Sequence, residues 1–219
     1  MKKVLIIAIT KDYIEKEAWE SWLNQDYDNY SILLNVMKLD KLHEDEKFNK
    51  PMNVAVNREE ARKLALNSDA DYFLFVDSDI VLPKNAISEL VKQLEAPKPP
   101  DGIYFKKHAI AGYYLLRNSS DVFCMAKLVE DDGIIYLRFP EKSVIKVDYA
   151  GLGCILTSRE LLEKIKIKTE FNKELKIAGT ENYVTFDDSW NFCNQVFELG
   201  YQLYADGDVV CKHLTEGEK

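Results

Sequence analysis

At 219 residues, 47% of them hydrophobic and 30% charged, the chain has the composition of an ordinary globular protein and the length of one large domain or two small ones. Its net charge of −8 argues against a general nucleic-acid binder, whose contacting face needs a surplus of Lys and Arg to displace counterions from phosphates. No uninterrupted apolar run reaches the roughly 18 residues of a membrane span, so a transmembrane segment is not expected. The apolar run behind Lys2 and Lys3 is too short for a signal peptide and lacks a small-residue cleavage site. Cys124, Cys154, Cys193 and Cys211 are widely spaced with no C-x-x-C pair. Neither a zinc site nor a disulfide framework is therefore expected, and the cysteines read as buried small hydrophobes in a reducing, cytoplasmic setting.

Val4 to Ile9 is a continuous apolar run, the pattern of a strand covered on both faces in a parallel sheet. Glu15 to Leu23 sets Ala18, Trp19, Trp22 and Leu23 on one helical face, and Tyr30 to Val36 returns to strand, which completes a βαβ unit. Asn57-x-x-Glu60 has the form of a capping box and predicts a helix through Leu66. Asp71 to Val76 is a second buried strand, ending in Asp77-Ser78-Asp79, and Asn85 to Leu94 is an amphipathic helix. Pro97, Pro99 and Pro100 then stop the helix and suggest a boundary between a half spanning 1–96 and one spanning 97–219.

The second half predicts short strands at Ala111 to Arg117, Val122 to Lys127, Ile134 to Phe139 and Val144 to Val147. They read as a small antiparallel layer, with Asp131-Asp132-Gly133 as a hairpin turn. Gly151 to Leu156 leads to a helix with a capping box at Thr157-x-x-Glu160. A last helix runs from near Ser189 to Leu199 with Gly200 as its C′ glycine, before strands at Tyr201 to Tyr204 and Val209 to Lys212.

Ligands of open α/β sheets bind outside the carboxyl ends of the strands, where Asp77 and Asp79 stand. Two carboxylates one residue apart repel unless a cation lies between them, and hard oxygen ligands suit Mg²⁺ or Mn²⁺ together with substrate phosphates. The plainer alternative is that the pair merely starts a turn or caps the next helix.

Three blocks surround the pair: Asn57-Arg58-Glu59-Glu60-Ala61-Arg62 with Ala70 to Asp79; Trp22-Leu23-Asn24-Gln25-Asp26-Tyr27-Asp28-Asn29-Tyr30; and Phe186-Asp187-Asp188-Ser189-Trp190 with Gly200-Tyr201 and Val210-Cys211-Lys212-His213. Together they resemble the GT-A fold glycosyltransferases, especially family 2, over nearly the whole chain from Lys3 to about His213. The resemblance implies a single α/β domain with a mixed, mostly parallel sheet and a small antiparallel sheet on the acceptor side. The half 1–96 would bind a nucleotide-diphosphate sugar and 97–219 a glycan, lipid-linked or protein acceptor.

It further implies that Asp77 approaches the donor ribose or metal-bound water and that Asp79 ligates Mn²⁺ or Mg²⁺ directly, with Asp77 and His213 in the metal set. Thr10 and Asp12 match the wall of the base pocket, Ser78 lies between the two donor-site carboxylates, and Arg62 matches an arginine facing the donor. Gly151 to Gly153 match glycines that let backbone approach a ligand. Asp188, or its neighbour Asp187, matches the catalytic base of an inverting transferase, with Asp188 favoured; one of the two suits the helix cap. Trp190 reads either as a sugar-stacking face or as core. Where the family carries a base-reading aspartate after the second strand, this chain has Leu34-Asn35-Val36-Met37 and a later Asp40, so base identity stays open.

Thr10-Lys11-Asp12-Tyr13 holds no glycine, which excludes a dinucleotide fingerprint and a P-loop, and no G-x-S-x-G elbow supports a hydrolase. A nucleotidyltransferase would need a glycine-rich basic first loop that is missing. A retaining transferase of the same fold and a non-catalytic nucleotide-sugar or glycan binding module remain open alternatives.

Overall fold

The structure, a computed structural model, describes residues 1–10, 13–36, 46–96, 107–117, 119–129, 133–138, 143–168, 174–185 and 187–214; for 46–53 and 185 only the backbone is described. Asp12, Asp40, the proline cluster, Asp131, Asp132 and Phe186 lie outside these residues. The elements in the first half are β1 (Val4–Thr10), α1 (Lys16–Leu23), β2 (Tyr30–Val36), α2 (Glu46–Leu66), β3 (Tyr72–Asp77), β4 (Ile80–Val81) and α3 (Ala86–Glu95). The second half holds β5 (Ala109–Tyr113), β6 (Met125–Val129), β7 (Gly133–Tyr136), β8 (Val144–Val147), β9 (Tyr149–Ala150), β10 (Cys154–Ser158), α4 (Arg159–Lys164), β11 (Glu174–Ile177), β12 (Tyr183–Thr185), α5 (Asp188–Glu198), β13 (Leu203–Val210) and β14 (Lys212–His213).

The 7-stranded central sheet has the order β2-β1-β3-β10-β5-β13-β8. β2, β1 and β3 are parallel to one another and β5 to β13, while β10 and β8 run against their neighbours. Every residue of β1 and Phe73 to Val76 of β3 are buried, as expected for strands sheathed on both faces. α2 packs on β1 and β2, and α3 packs Ile87, Leu90 and Val91 against β5 and β13. Burying each of those aliphatic side chains stabilises the packing by about 1.5–3 kcal/mol.

Four contacts fix the segment behind β3. The fully buried Trp22 donates from Nε1 to the Ile80 carbonyl at 3.0 Å, and Ser21 Oγ accepts from Leu82 N at 3.0 Å. Gln25 donates to the Pro83 carbonyl at 3.1 Å and accepts from Ile87 N at 3.2 Å. The end of α1 thus holds the Asp79 region in place.

Three local readings are corrected. α2 starts at Glu46, so Asn57 lies inside it; the side chain is not a cap but is buried in mutual hydrogen bonds with Asn35 of β2. The cap of α4 is Ser158, whose side chain accepts from Leu161 N at 3.3 Å, because Thr157 is still buried in β10. The short strands of the second half also divide between two layers. β5 and β8 join the central sheet, and a 5-stranded sheet takes the order β12-β11-β7-β6-β9, antiparallel except for the β11–β7 ladder. Gly200 has φ 76° at the end of α5, the left-handed C′ conformation expected of it. Among the described residues no helix is long and apolar enough to cross a membrane, and all four cysteines are free and buried.

Candidate active site at the strand ends

Asp77 is the last residue of β3, and Asp79 directly precedes β4. The antiparallel β14–β4 ladder pairs His213 with Ile80, and Leu214 N donates to the Asp79 carbonyl at 2.9 Å. Strand pairing therefore brings His213 alongside Asp79. His213 Nδ1 lies 2.7 Å from the Leu115 carbonyl oxygen and Nε2 lies 3.3 Å from Asp79 Oδ2.

A carbonyl only accepts, so Nδ1 carries a proton. A neutral ring then directs the Nε2 lone pair at a carboxylate, an arrangement resolved by a second ring proton or by a cation. Burial opposes charge on both groups, but their mutual hydrogen bond and attraction prevail, with Arg117 also acting on Asp79 and the Leu115 carbonyl on His213. The Asp79 carboxyl is held below its ordinary range and the imidazole above its own. Arg117, half exposed, donates to Asp79 Oδ2.

Arg58, in α2, makes the other junction. Its Nη1 donates to Asp188 Oδ2 at 2.6 Å and its Nη2 donates to Asp77 Oδ1. Burial works against the guanidinium charge, yet Asp188 and Asp77 more than offset it and raise the group well above its ordinary value. At the head of α5, Asp187 is the cap and accepts from Trp190 N at 3.0 Å. Burial, reinforced by the charge of Asp188, pushes Asp187 up to about 6.

The glycines of the 151–153 turn are explained by a neighbour. Tyr114 OH accepts from Gly153 N at 3.1 Å, and a Cβ on Gly153 would meet Tyr114 Cζ at 2.8 Å and Asp77 Oδ2 at 3.0 Å. A Cβ on Gly151 would collide with the Tyr114 hydroxyl. The Tyr114 ring also meets His213 edge-on, with centroids 5.7 Å apart, and so joins the glycine turn to the histidine.

Asp77, Asp79, His213, Asp188 and Gly153 thus belong to one contact network around the strand ends, with Asp187 next to Asp188. Thr10 ends β1, buried, and donates to the Tyr13 carbonyl; the Ser78 carbonyl accepts from Glu15 N at 3.2 Å. Arg62 does not join the network. Its guanidinium binds Glu59 and the Leu162 carbonyl, the latter at 2.8 Å, tying α2 to α4. Trp190 is core, 3% exposed and stacked on Tyr149 at 4.1 Å. Sequence reasoning missed Arg58, Arg117 and Tyr114. The available signal for Arg58 was its spacing, one helical turn from Arg62 on the same face.

Asp79 and His213 suit a divalent cation. A carboxylate oxygen and an imidazole nitrogen meet at one point, and the other ring nitrogen donates to a backbone carbonyl, as metal-binding histidines require. Such an ion takes its remaining ligands from water and substrate phosphates. Among the described residues no three or more His, Cys, Asp or Glu side chains form a ready cage, and Asp77 gives one oxygen to Arg58 instead.

No protein-family model matches the chain, and no curated protein matches it. Among solved structures it is similar to A197 from STIV, with TM-score 0.60 and 19% identity over 98% of this chain and 86% of that one. It is also similar to GalNAc-T7, determined with UDP, GalNAc and Mn²⁺, with TM-score 0.59 and 11% identity over 99% of this chain. The chain spans only 44% of the GalNAc-T7 chain. The likeness at these identities is one of architecture: the chain has the GT-A glycosyltransferase fold.

Proposed function

We propose that the chain is a cation-dependent glycosyltransferase that moves a sugar from a nucleotide-diphosphate donor to an acceptor hydroxyl with inversion. The observation that carries this reading is the His213 ring, anchored through Nδ1 and facing Asp79 through Nε2 at the strand ends. A divalent cation held by Asp79 and His213 would offset the charge of the leaving diphosphate. The free oxygen of Asp77 accepts from a donor hydroxyl. Asp187 takes the acceptor proton as the acceptor oxygen bonds to the anomeric carbon and the bond to the diphosphate breaks.

Asp187 suits that role better than Asp188, the one of the two favoured on sequence. A carboxyl with a pKa of about 6 is ionised near neutrality yet basic enough to hold a proton. Asp188 is buried against Arg58 and gives it Oδ2. UDP and Mn²⁺ are the first ligands to try, because GalNAc-T7 was determined with them.

Calorimetric titration with UDP, GDP and dTDP, each with and without Mn²⁺, tests the reading, and hydrolysis of the matching nucleotide sugar follows. One nucleotide is expected to bind only with Mn²⁺, and Asp79→Ala is expected to abolish that binding. Absence of nucleotide binding by folded protein overturns the assignment. Binding without turnover leaves a nucleotide-sugar binding module.

A further inference from the structure

We propose that Arg58 is a positioning residue for sugar transfer: its guanidinium ties the donor-side Asp77 to Asp188 at the head of α5 and sets the two sides of the site in register. The inference rests on the glycosyltransferase reading and goes beyond it, because the sequence gives Arg58 no role. Its partners are 19 and 130 residues away along the chain, one at the end of β3 and one on the helix bearing Asp187.

A planar guanidinium offers nitrogens in a rigid fork, so binding one carboxylate on each arm constrains the angle as well as the distance between them. Side-chain exposures of 7% for Arg58 and 6% for Asp188 leave little room for water to substitute for either partner. A buried ion pair contributes weakly to net stability against a well-packed apolar alternative, and this one lies where ligands of such sheets bind. Precision of placement is what the arrangement supplies there.

Two consequences follow for the neighbouring aspartates. Arg58 occupies Oδ1 of Asp77, while Oδ2 lies toward the glycine turn, 3.0 Å from where a Gly153 Cβ would stand. One oxygen is anchored and the other is presented to the donor. Asp188 is held as a counter-ion, which leaves Asp187, one residue earlier, to meet the acceptor.

The test compares Asp188→Asn, Arg58→Lys and the double variant Arg58→Gln with Asp188→Asn. The double variant does not leave the buried Asp188 charge unpaired. Calorimetry with UDP and Mn²⁺ reads donor affinity, steady-state transfer separates kcat from KM, and thermal unfolding reports folding. Asp188→Asn keeps Arg58 on Asp77 and is expected to bind nucleotide within about twofold of the parent. The double variant is expected to bind about tenfold more weakly and to lose about 100-fold in kcat, the scale of effect that misplacement by about 1 Å produces. Arg58→Lys is expected to fall between them, since one ammonium cannot fork across both carboxylates.

A folded double variant with affinity and kcat close to those of the parent overturns the proposal while the donor reading stands. If neither Arg58 variant folds, Arg58 is a structural residue only, which also overturns it. A parent protein that binds no nucleotide removes the donor reading and this proposal with it.

Discussion

Replacing Asp187 with Asn is expected to stabilise the protein at alkaline pH while abolishing sugar transfer. Burial and the neighbouring Asp188 charge move Asp187 from 3.8 to about 6, whereas Trp190 N–H and Arg58 pull only partly the other way. A shift of about two units corresponds to about 3 kcal/mol between the two protonation states. The folded protein holds this proton more tightly than the unfolded chain does. The resulting stabilisation is complete below pH about 4 and is lost as pH rises through about 6, above which a partly buried carboxylate must be kept ionised.

Asparagine keeps an oxygen to accept from Trp190 N but carries no charge, so the cap survives. Urea unfolding followed by circular dichroism should show Asp187→Asn more stable than the parent by up to about 3 kcal/mol at pH 8. The difference should vanish near pH 4. Transfer by the parent should rise with pH to a plateau above about 6, and the variant should have no such limb because it lacks the base. Equal midpoints for the two proteins at pH 8 would refute the electrostatic account of Asp187; full transfer by the variant would refute its role as base.

His213→Gln should abolish Mn²⁺-dependent nucleotide binding, measured calorimetrically, while the unfolding midpoint changes little; retained binding would remove the imidazole from the cation site. Arg117→Gln should tighten Mn²⁺ binding without nucleotide, because the cation no longer displaces a guanidinium from Asp79. Arg117 is 52% exposed in its side chain, so the pair is worth at most about 1 kcal/mol and the gain at most about fivefold. Gly153→Ala brings a methyl to 2.8 Å from Tyr114 Cζ and 3.0 Å from Asp77 Oδ2. It should lower stability by about 1–3 kcal/mol and weaken nucleotide binding, as thermal unfolding and calorimetry would reveal.

The parts of the fold legible in the sequence were those set by local patterns. Val4 to Ile9 and Asp71 to Val76 announce central strands because a strand covered on both faces has no reason to alternate. Asp77 and Asp79 mark a candidate site because they end such a strand, and the structure brings His213 beside Asp79. Asn57-x-x-Glu60 misled because its pattern is the same whether the asparagine caps a helix or sits inside one bonded to a distant strand, here Asn35. Arg58 and Arg62 stand one turn apart, with nothing local to separate a guanidinium that will meet Asp77 from one that will meet Glu59. The division of the second-half strands between two sheets likewise depends on partners remote in sequence: β5 lies between β10 and β13.

The two arginines at the strand ends differ in a way that bears on how an acidic protein of net charge −8 could take an anionic donor. Arg58 is buried and shared between two carboxylates, so its charge is committed and unavailable to a diphosphate. Arg117 is half exposed and rests on a single carboxylate, Asp79, so it can be exchanged. A nucleotide arriving alone would bring negative charge to Asp77, Asp79, Asp187 and Asp188 and would be repelled. Arriving with a divalent cation it is close to neutral, and the cation can take Asp79 and His213 while Arg117, released, is free to meet the phosphates. Strict cation dependence of nucleotide binding is thus expected from the charge distribution itself. Measurable affinity for free nucleotide at physiological ionic strength, where exposed charges are largely screened but buried ones are not, would mean that the acidic groups face away from the ligand.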